Sequence, residues 1–166
     1  HVINLDGNEA PHGLYYKLKP NVNCVMDNIQ EFMENHNTMT LATHGKDGTG
    51  AAAVFYAIIK KSASLVFVSN PESDHIKNLE INKMCAATIQ DDGLEWKEIK
   101  GLQLKGEINQ ANEKYWENYL RKYPYIRTNE ELSKALEKVN LYEFRITWAR
   151  LIDNTKGFGN RTEITY

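Results

Sequence analysis

The residues best suited to chemistry lie together in Leu65–Asn82 (LVFVSNPESDHIKNLEIN), where an apolar strand pattern changes to a short helical one. The hydroxyls of Ser69 and Ser73 and the amide of Asn70 lie where the helix is predicted to begin, and His75 follows within one turn. The first N–H groups of a helix have no partner inside it and attract anions. The segment therefore predicts a phosphate-binding loop.

A purely structural interpretation fits the same residues. Ser69 and Glu72 match a capping box, with Pro71 in the first turn of the helix. In that arrangement the residues only start a helix, and the Glu72 carboxylate would repel a phosphate. If Ser73 is the N-cap instead, Glu72 points away and a phosphate can bind. The residues alone leave both alternatives open.

Composition narrows the classes of function. The chain has 166 residues, of which 42% are hydrophobic and 25% charged, so we expect one globular domain over residues 1–166. A net charge of −2 argues against nucleic-acid binding, because no broad basic surface is available for the phosphates. The histidines lack the spacing of metal ligands, so no metal site is expected.

Targeting and redox features indicate a cytoplasmic protein. No apolar run reaches the ~20 residues that a transmembrane helix needs, and no secretory signal pattern appears at the N-terminus. The two cysteines, Cys24 and Cys85, are too few for a disulfide framework. We therefore expect a reducing compartment and no membrane partner.

The elements that position the loop follow from hydrophobic periodicity. After an extended arm over residues 1–20, a helix is predicted over 21–37 with Val25, Ile29, Phe32 and Met33 on one face. Strands are predicted over 38–43, 51–59, 65–69, 84–90, 96–110 and 141–152, and further helices over 112–123 and 129–139. The connections between most strands are too short for crossover helices, so the sheet should be antiparallel. The fold class is α+β, a small antiparallel barrel of about six strands with peripheral helices.

The order and spacing of these segments resemble the pyridoxamine 5′-phosphate oxidase-like FMN-binding split barrels, in an uncharacterised bacterial branch. The matching loop and helix positions are Ser69, Asn70, Ser73, His75, Leu79 and Asn82. His75 stands where the family often has lysine, and Asp74 replaces a basic residue that is common just before it. Lys100–Gly106 resembles a strand that contacts flavin across a dimer interface. The tail segment Asp153–Gly159 resembles the end of that bacterial branch.

The resemblance implies FMN as the cofactor, bound at the interface of a homodimer. It assigns the phosphate to Ser69, Asn70, Ser73 and His75, and a contact across the interface to Gln103. The strand Ala53, Val54, Phe55 and Tyr56 would lie along the isoalloxazine ring, which the small residues of 51–53 would let approach closely. Tyr56 and Phe158 are the aromatic candidates for a substrate pocket.

The function expected from this resemblance is that of an FMN-dependent oxidoreductase acting on a small molecule. Flavin chemistry needs binding, orientation and tuning from the protein, so the lack of a catalytic triad is no objection. One alternative is a non-catalytic flavin-binding protein, such as a redox sensor or stress protein. Another is a haem-binding split barrel, for which His75 or His44 would be the axial ligand.

Overall fold

The computed structural model describes residues 22–60 and 62–166, so the predicted arm over residues 1–20 lies outside the described residues. The α-helices are α1 (Val22–Glu34), α2 (Asp74–Ile81), α3 (Trp116–Lys122), α4 (Tyr125–Thr128) and α5 (Glu130–Leu136). The strands are β1 (Thr38–Gly45), β2 (Gly48–Ile59), β3 (Ser64–Ser69), β4 (Met84–Gln90), β5 (Lys100–Gln110), β6 (Asn140–Asp153) and β7 (Arg161–Thr165). Short 3₁₀ turns cover Glu113–Tyr115 and Asn154–Lys156.

The strands form one antiparallel sheet that closes into a barrel. Their order is β3-β2-β1-β4-β5-β6-β7, and an additional pairing between β3 and β6 completes a ring of six strands. The first half of β6 pairs with β3, from Asn140 to Arg145, and its second half pairs with β7, from Trp148 to Ile152. The expected α+β antiparallel barrel with peripheral helices is confirmed, with β7 as an added strand outside the ring.

The core fills the barrel interior and extends beneath α1. Tyr56, Phe67 and Phe144 are the largest side chains that are fully buried. Helix α1 contributes residues four positions apart, as its periodicity predicted: Val25, Ile29 and Met33. Burial of a large apolar side chain contributes roughly 1.5–3 kcal/mol, so these contacts hold α1 in place.

A second apolar cluster lies outside the barrel and fixes the helices after β5. Tyr119, Tyr123 and Ile126 of this helical segment pack with residues of β2 and β3, including Ala57. The Tyr123 hydroxyl donates to the backbone oxygen of Tyr56 at 2.6 Å. This bond joins the helical segment to the middle of β2, the strand that the resemblance assigns to the flavin.

The fifth strand differs from its prediction. It begins at Lys100, not at residue 96, because β4 ends at Gln90 opposite Gly101 and no strand lies across from the preceding residues. Residues 91–99 form an exposed loop instead. The seventh strand was not predicted, since the sequence over 161–165 (RTEIT) is short and mostly polar.

The glycines of β5, Gly101 and Gly106, predict a bend or a bulge in this strand, and the structure has a bulge opposite Gly106, in the neighbouring β6. The register of β5 against β6 shifts between Lys105 and Gly106. A Cβ atom at Gly106 would lie 2.1 Å from the backbone oxygen of Arg145, so only glycine fits at this position. The extra residue of the bulge is Thr147 of β6, which lies between the partners of Lys105 and Gly106, so the bulge bends β6 at this point.

Candidate functional site

Helix α2 begins at Asp74, with Ser73 as its N-cap. The backbone oxygen of Ser73 accepts from the N–H groups of Ile76 and Lys77, both at 3.0 Å, whereas its side chain makes no capping bond. Residues 70–72 therefore form the turn between β3 and the helix, and they are not the first turn of the helix. The Ser73 hydroxyl faces the loop, where it donates to the backbone oxygen of Asn70 at 2.7 Å.

Three polar side chains converge at the start of α2. The Ser69 hydroxyl oxygen lies 2.8 Å from Nε2 of His75 and 3.2 Å from the Ser73 hydroxyl oxygen. The Ser73 hydroxyl oxygen lies 3.3 Å from the same His75 nitrogen. Asn70 holds the turn rather than joining the cluster, because its side-chain oxygen accepts from the Glu72 N–H at 2.8 Å.

The charges around this cluster are partly balanced. Burial lowers the pKa of His75 below its usual value, and the neighbouring Asp74 carboxylate offsets only part of that effect. The imidazole is therefore predominantly neutral at pH 7. Glu72 and Lys77, both exposed, form an ion pair at 3.2 Å, which directs the Glu72 carboxylate toward a cation.

An open cleft of about 470 Å³ lies beside the cluster. Its lining residues are Gly50, Ala51, Ala52, Glu72, Ser73, Asp74, His75 and Asn78. The Asn78 amide donates to the Thr43 hydroxyl at 3.1 Å, and a Cβ at Gly45 would lie 2.0 Å from the Asn78 side-chain oxygen. Asn78 therefore docks α2 against the β1–β2 hairpin. It was not among the predicted site residues, although its position one turn after His75 could have indicated it.

One edge of β2 is open beside this cleft. Strand β1 pairs with β2 over the whole hairpin, but β3 pairs only with Tyr56–Ile59, so no described strand covers the preceding residues on that side. Alternate residues of an antiparallel strand direct their backbone N–H and C=O groups to each edge. Residues 48–55 therefore present backbone hydrogen-bonding groups next to the start of α2. We call this segment the open edge of β2.

The four predicted residues of β2 separate by the alternation of the strand. Ala53 and Phe55 face outward and are exposed, whereas Val54 and Tyr56 face the core. Tyr56 is fully buried, and its hydroxyl donates to the backbone oxygen of Met33 at 2.7 Å. Its side chain thus belongs to the core, and its backbone N–H and C=O are bonded to the Asn37 oxygen at 3.0 Å and to the Tyr123 hydroxyl at 2.6 Å.

Gln103 lies on the outer face of β5 beside an arginine. Its side-chain oxygen accepts from Arg150 of β6 at 3.4 Å, and the same guanidinium donates to Glu163 at 2.8 Å. Arg150 also lies over the Trp148 ring, 4.9 Å from its centroid. The sequence analysis did not single out Arg150. Gln103 and Arg150 are cross-strand partners, and this pairing follows only from the register of β5 against β6.

Phe158 lies in a different part of the molecule from the buried Tyr56. It is 82% exposed and packs edge-to-face on Trp96, with ring centroids 5.4 Å apart. Asn154 joins the two loops that carry these rings, because its amide donates to the Trp96 backbone oxygen and its side-chain oxygen accepts from the Gly159 N–H. The structure therefore does not bring Tyr56 and Phe158 to a common surface.

The residues that the structure describes contain neither a cluster of metal ligands nor a helix that could span a membrane. Among them, no three His, Cys, Asp or Glu side chains lie close enough together to hold a metal ion. No helix within this part of the chain has the length and apolar character needed to cross a membrane.

Comparison with known proteins places the barrel in a family. Residues 25–153 match the family described as pyridoxamine 5′-phosphate oxidase. A UPF0306 protein of Campylobacter jejuni is 23% identical over 137 residues, which cover 82% of this chain and 96% of that protein.

Solved structures share the fold at low sequence identity. ChuZ of Campylobacter jejuni has a TM-score of 0.71 and 16% identity, over 90% of this chain and 62% of that one. A heme binding protein of Mycobacterium smegmatis has a TM-score of 0.63 and 16% identity, over 81% and 55% of the two chains. Because the family match covers most of the chain, the protein belongs to the pyridoxamine 5′-phosphate oxidase family.

Proposed function

We propose that this protein binds FMN beside helix α2 and acts as an FMN-dependent oxidoreductase on a small molecule. The observation that supports this best is a juxtaposition. The polar cluster of Ser69, Ser73 and His75 adjoins a cleft that also runs along the open edge of β2. A phosphate group and a flat ring with hydrogen-bonding groups at its edge need these two surfaces side by side.

The phosphate would be held at the start of α2. The Ser73 side chain leaves the first N–H groups of the helix uncapped, so they can donate to phosphate oxygens. The hydroxyls of Ser69 and Ser73 supply two more donors, and His75 supplies a ring N–H. A bound phosphate would also favour protonation of His75, which the buried site otherwise disfavours. Asp74 opposes this attraction, but its carboxylate is exposed to solvent.

The isoalloxazine ring would lie along β2. Gly50, Ala51 and Ala52 line the cleft and have little or no side chain, so a flat ring can approach the backbone closely. The open edge of β2 offers backbone donors and acceptors to the polar rim of such a ring. When bound, FMN supplies the electron-transfer chemistry, and the chain supplies binding and orientation.

The proposal includes a homodimer that completes the flavin site, with Gln103 of each subunit facing the other's flavin. The outer face of β1, β2 and β4 carries no Asp, Glu, Lys or Arg, and its residues are Thr38, Thr40, Ala42, His44, Thr49, Ala51, Ala53, Phe55, Met84, Ala86, Thr88 and Gln90. A quarter of all residues in this chain are charged, so a charge-free face of this size is typical of an interface. We call it the uncharged face.

The substitution Ala86→Arg tests the dimer, because Ala86 lies within the uncharged face. Burying an unpaired guanidinium in each subunit should weaken association by at least ~100-fold, or about 3 kcal/mol. Analytical ultracentrifugation should show a monomer for this variant and a dimer for the parent protein. The matched control is Ala135→Arg, an exposed alanine on α5. A parent protein that sediments as a monomer when saturated with FMN would disprove the shared site.

The absorbance spectrum of the purified protein tests the cofactor. We expect flavin bands, release of FMN on denaturation, and bleaching of the bands when a nicotinamide cofactor is added without oxygen. Flavin bands without any reduction by donors would favour the carrier or sensor function over the oxidoreductase.

Haem binding is the second candidate. The heme binding protein of Mycobacterium smegmatis has the same fold, and Nε2 of His75 could serve as an axial ligand on leaving its two serine partners. A Soret band in place of flavin bands would favour haem and overturn the FMN proposal.

A further inference from the structure

A second cavity, of about 210 Å³, lies between the end of α1, the end of β2 and helix α3. Its lining residues are Glu34, Ala57, Ile58, Lys60, Asn118, Arg121 and Lys122. None of them lines the cleft at the start of α2. The two cavities can therefore be tested separately.

The cavity is electropositive. Three of its lining residues are cationic and one, Glu34, is acidic. The Glu34 carboxylate accepts a hydrogen bond from Gln30 at 2.9 Å, which holds it on the surface of α1. The nearest carboxylate oxygen to Arg121 belongs to exposed Glu117, at 3.9 Å, where attraction is weak. Positive charge in the cavity is thus incompletely balanced.

Lys122 is the most confined of these cations. Its ammonium lies over the Tyr56 ring, 4.4 Å from the centroid, and donates to the backbone oxygen of His36. Among the described residues, no carboxylate lies within ion-pair distance of it. An ammonium has three donors, so it can make further bonds toward the cavity.

The protonation equilibrium agrees with this geometry. Burial lowers the pKa of Lys122 to about 8, although the Glu34 carboxylate acts in the opposite direction. The ammonium also lies over the rings of Tyr56 and Tyr123, and burial raises the pKa of both hydroxyls, so both are neutral at pH 8. Lys60 and Arg121 line the same cavity. An anion in the cavity would supply the counter-charge that Lys122 lacks.

We propose that this cavity is a binding site for a small oxyanion, a phosphate-like or carboxylate group held by Lys60, Arg121 and Lys122. Arg121 offers the planar fork that matches two oxygens of such a group, and the two lysines add point charges. The Asn118 amide donates to the Ile58 backbone oxygen at 3.2 Å, which fixes the wall between Lys60 and α3.

The test uses the full chain saturated with its cofactor and titrated with sulfate or succinate in a calorimeter. Both probes keep a constant charge of −2 between about pH 6.5 and 9.5. Saturable binding of sulfate would indicate a site for tetrahedral oxyanions, and binding of succinate alone a site for carboxylates. Either affinity should fall at least tenfold as the pH rises through the pKa of Lys122, because the neutral amine attracts no anion.

Substitutions locate the site. Lys122→Gln should lower the affinity at least tenfold and remove its dependence on pH, and exposed Lys60→Gln should lower it without risk to the core. Lys138→Gln removes an exposed charge outside the cavity and should leave binding unchanged. The proposal is wrong if neither sulfate nor succinate binds. It is also wrong if Lys122→Gln and Lys60→Gln both bind the probe with the affinity of the parent. The amount of cofactor bound per chain should be the same in the parent and in all three variants.

Discussion

The double variant Ser73→Ala/His75→Ala should bind FMN roughly 30- to 1000-fold more weakly than the parent, a loss of about 2–4 kcal/mol. The substitutions remove one hydroxyl donor and the imidazole that lies within 3.3 Å of it. Both groups lie at the surface of the cleft, and the N-cap role of Ser73 depends on its backbone oxygen. The helix should therefore form as before. Fluorescence titration of the apoprotein with FMN measures the change.

Riboflavin is the control ligand, because it has the same ring without the phosphate. Riboflavin should bind the parent protein more weakly than FMN does. It should bind the double variant about as tightly as it binds the parent. Unchanged FMN affinity would show that the polar cluster only starts a helix. An equal loss for both ligands would show that the variant disturbs the ring site and not a phosphate site.

Gly106→Ala should destabilise the protein by about 3 kcal/mol, near the upper end for an added methyl group in a packed core. The new Cβ would lie 2.1 Å from the Arg145 backbone oxygen and 2.8 Å from the Phe144 ring. Neither neighbour is the flexible end of a long side chain, so β5 and β6 would have to separate at the bulge. For a chain of this length the midpoint of thermal unfolding should fall by roughly 6–12 °C.

Gly101→Ala is the matched control, five residues earlier on the same strand. Its nearest neighbours would lie 3.9 Å from the new Cβ, which is an ordinary contact distance. We expect its unfolding midpoint to stay within a few degrees of the parent's. Equal losses at both positions would mean that alanine is disfavoured in β5 for a reason unrelated to the bulge.

Local patterns were enough to predict most of the fold. Strand β4 lies at the predicted residues, because its alternation is clear and turn residues bound it. The last helix was predicted to begin at residue 129, and the Asn129 side chain caps α5 by accepting from the Leu132 N–H at 3.0 Å. The face of α1 was also predictable, since the spacing of its apolar residues is regular.

The details of the candidate site depended on long-range contacts. The Tyr56 side chain points into the core because of the register of β2 against β1 and β3. That register cannot be predicted from the local sequence. The partnership of Gln103 with Arg150 joins residues 47 positions apart. The choice between the two possible caps of α2 was likewise unresolved locally, because Ser69 and Ser73 are both good N-cap residues.

The way in which β6 divides its edge between β3 and β7 has a consequence for the evolution of this chain. The ring of six strands closes through β3, so the C-terminal segment adds to the barrel without being required for its closure. Insertions or rapid sequence drift after Asp153 should therefore be tolerated far better than changes in any of the six ring strands.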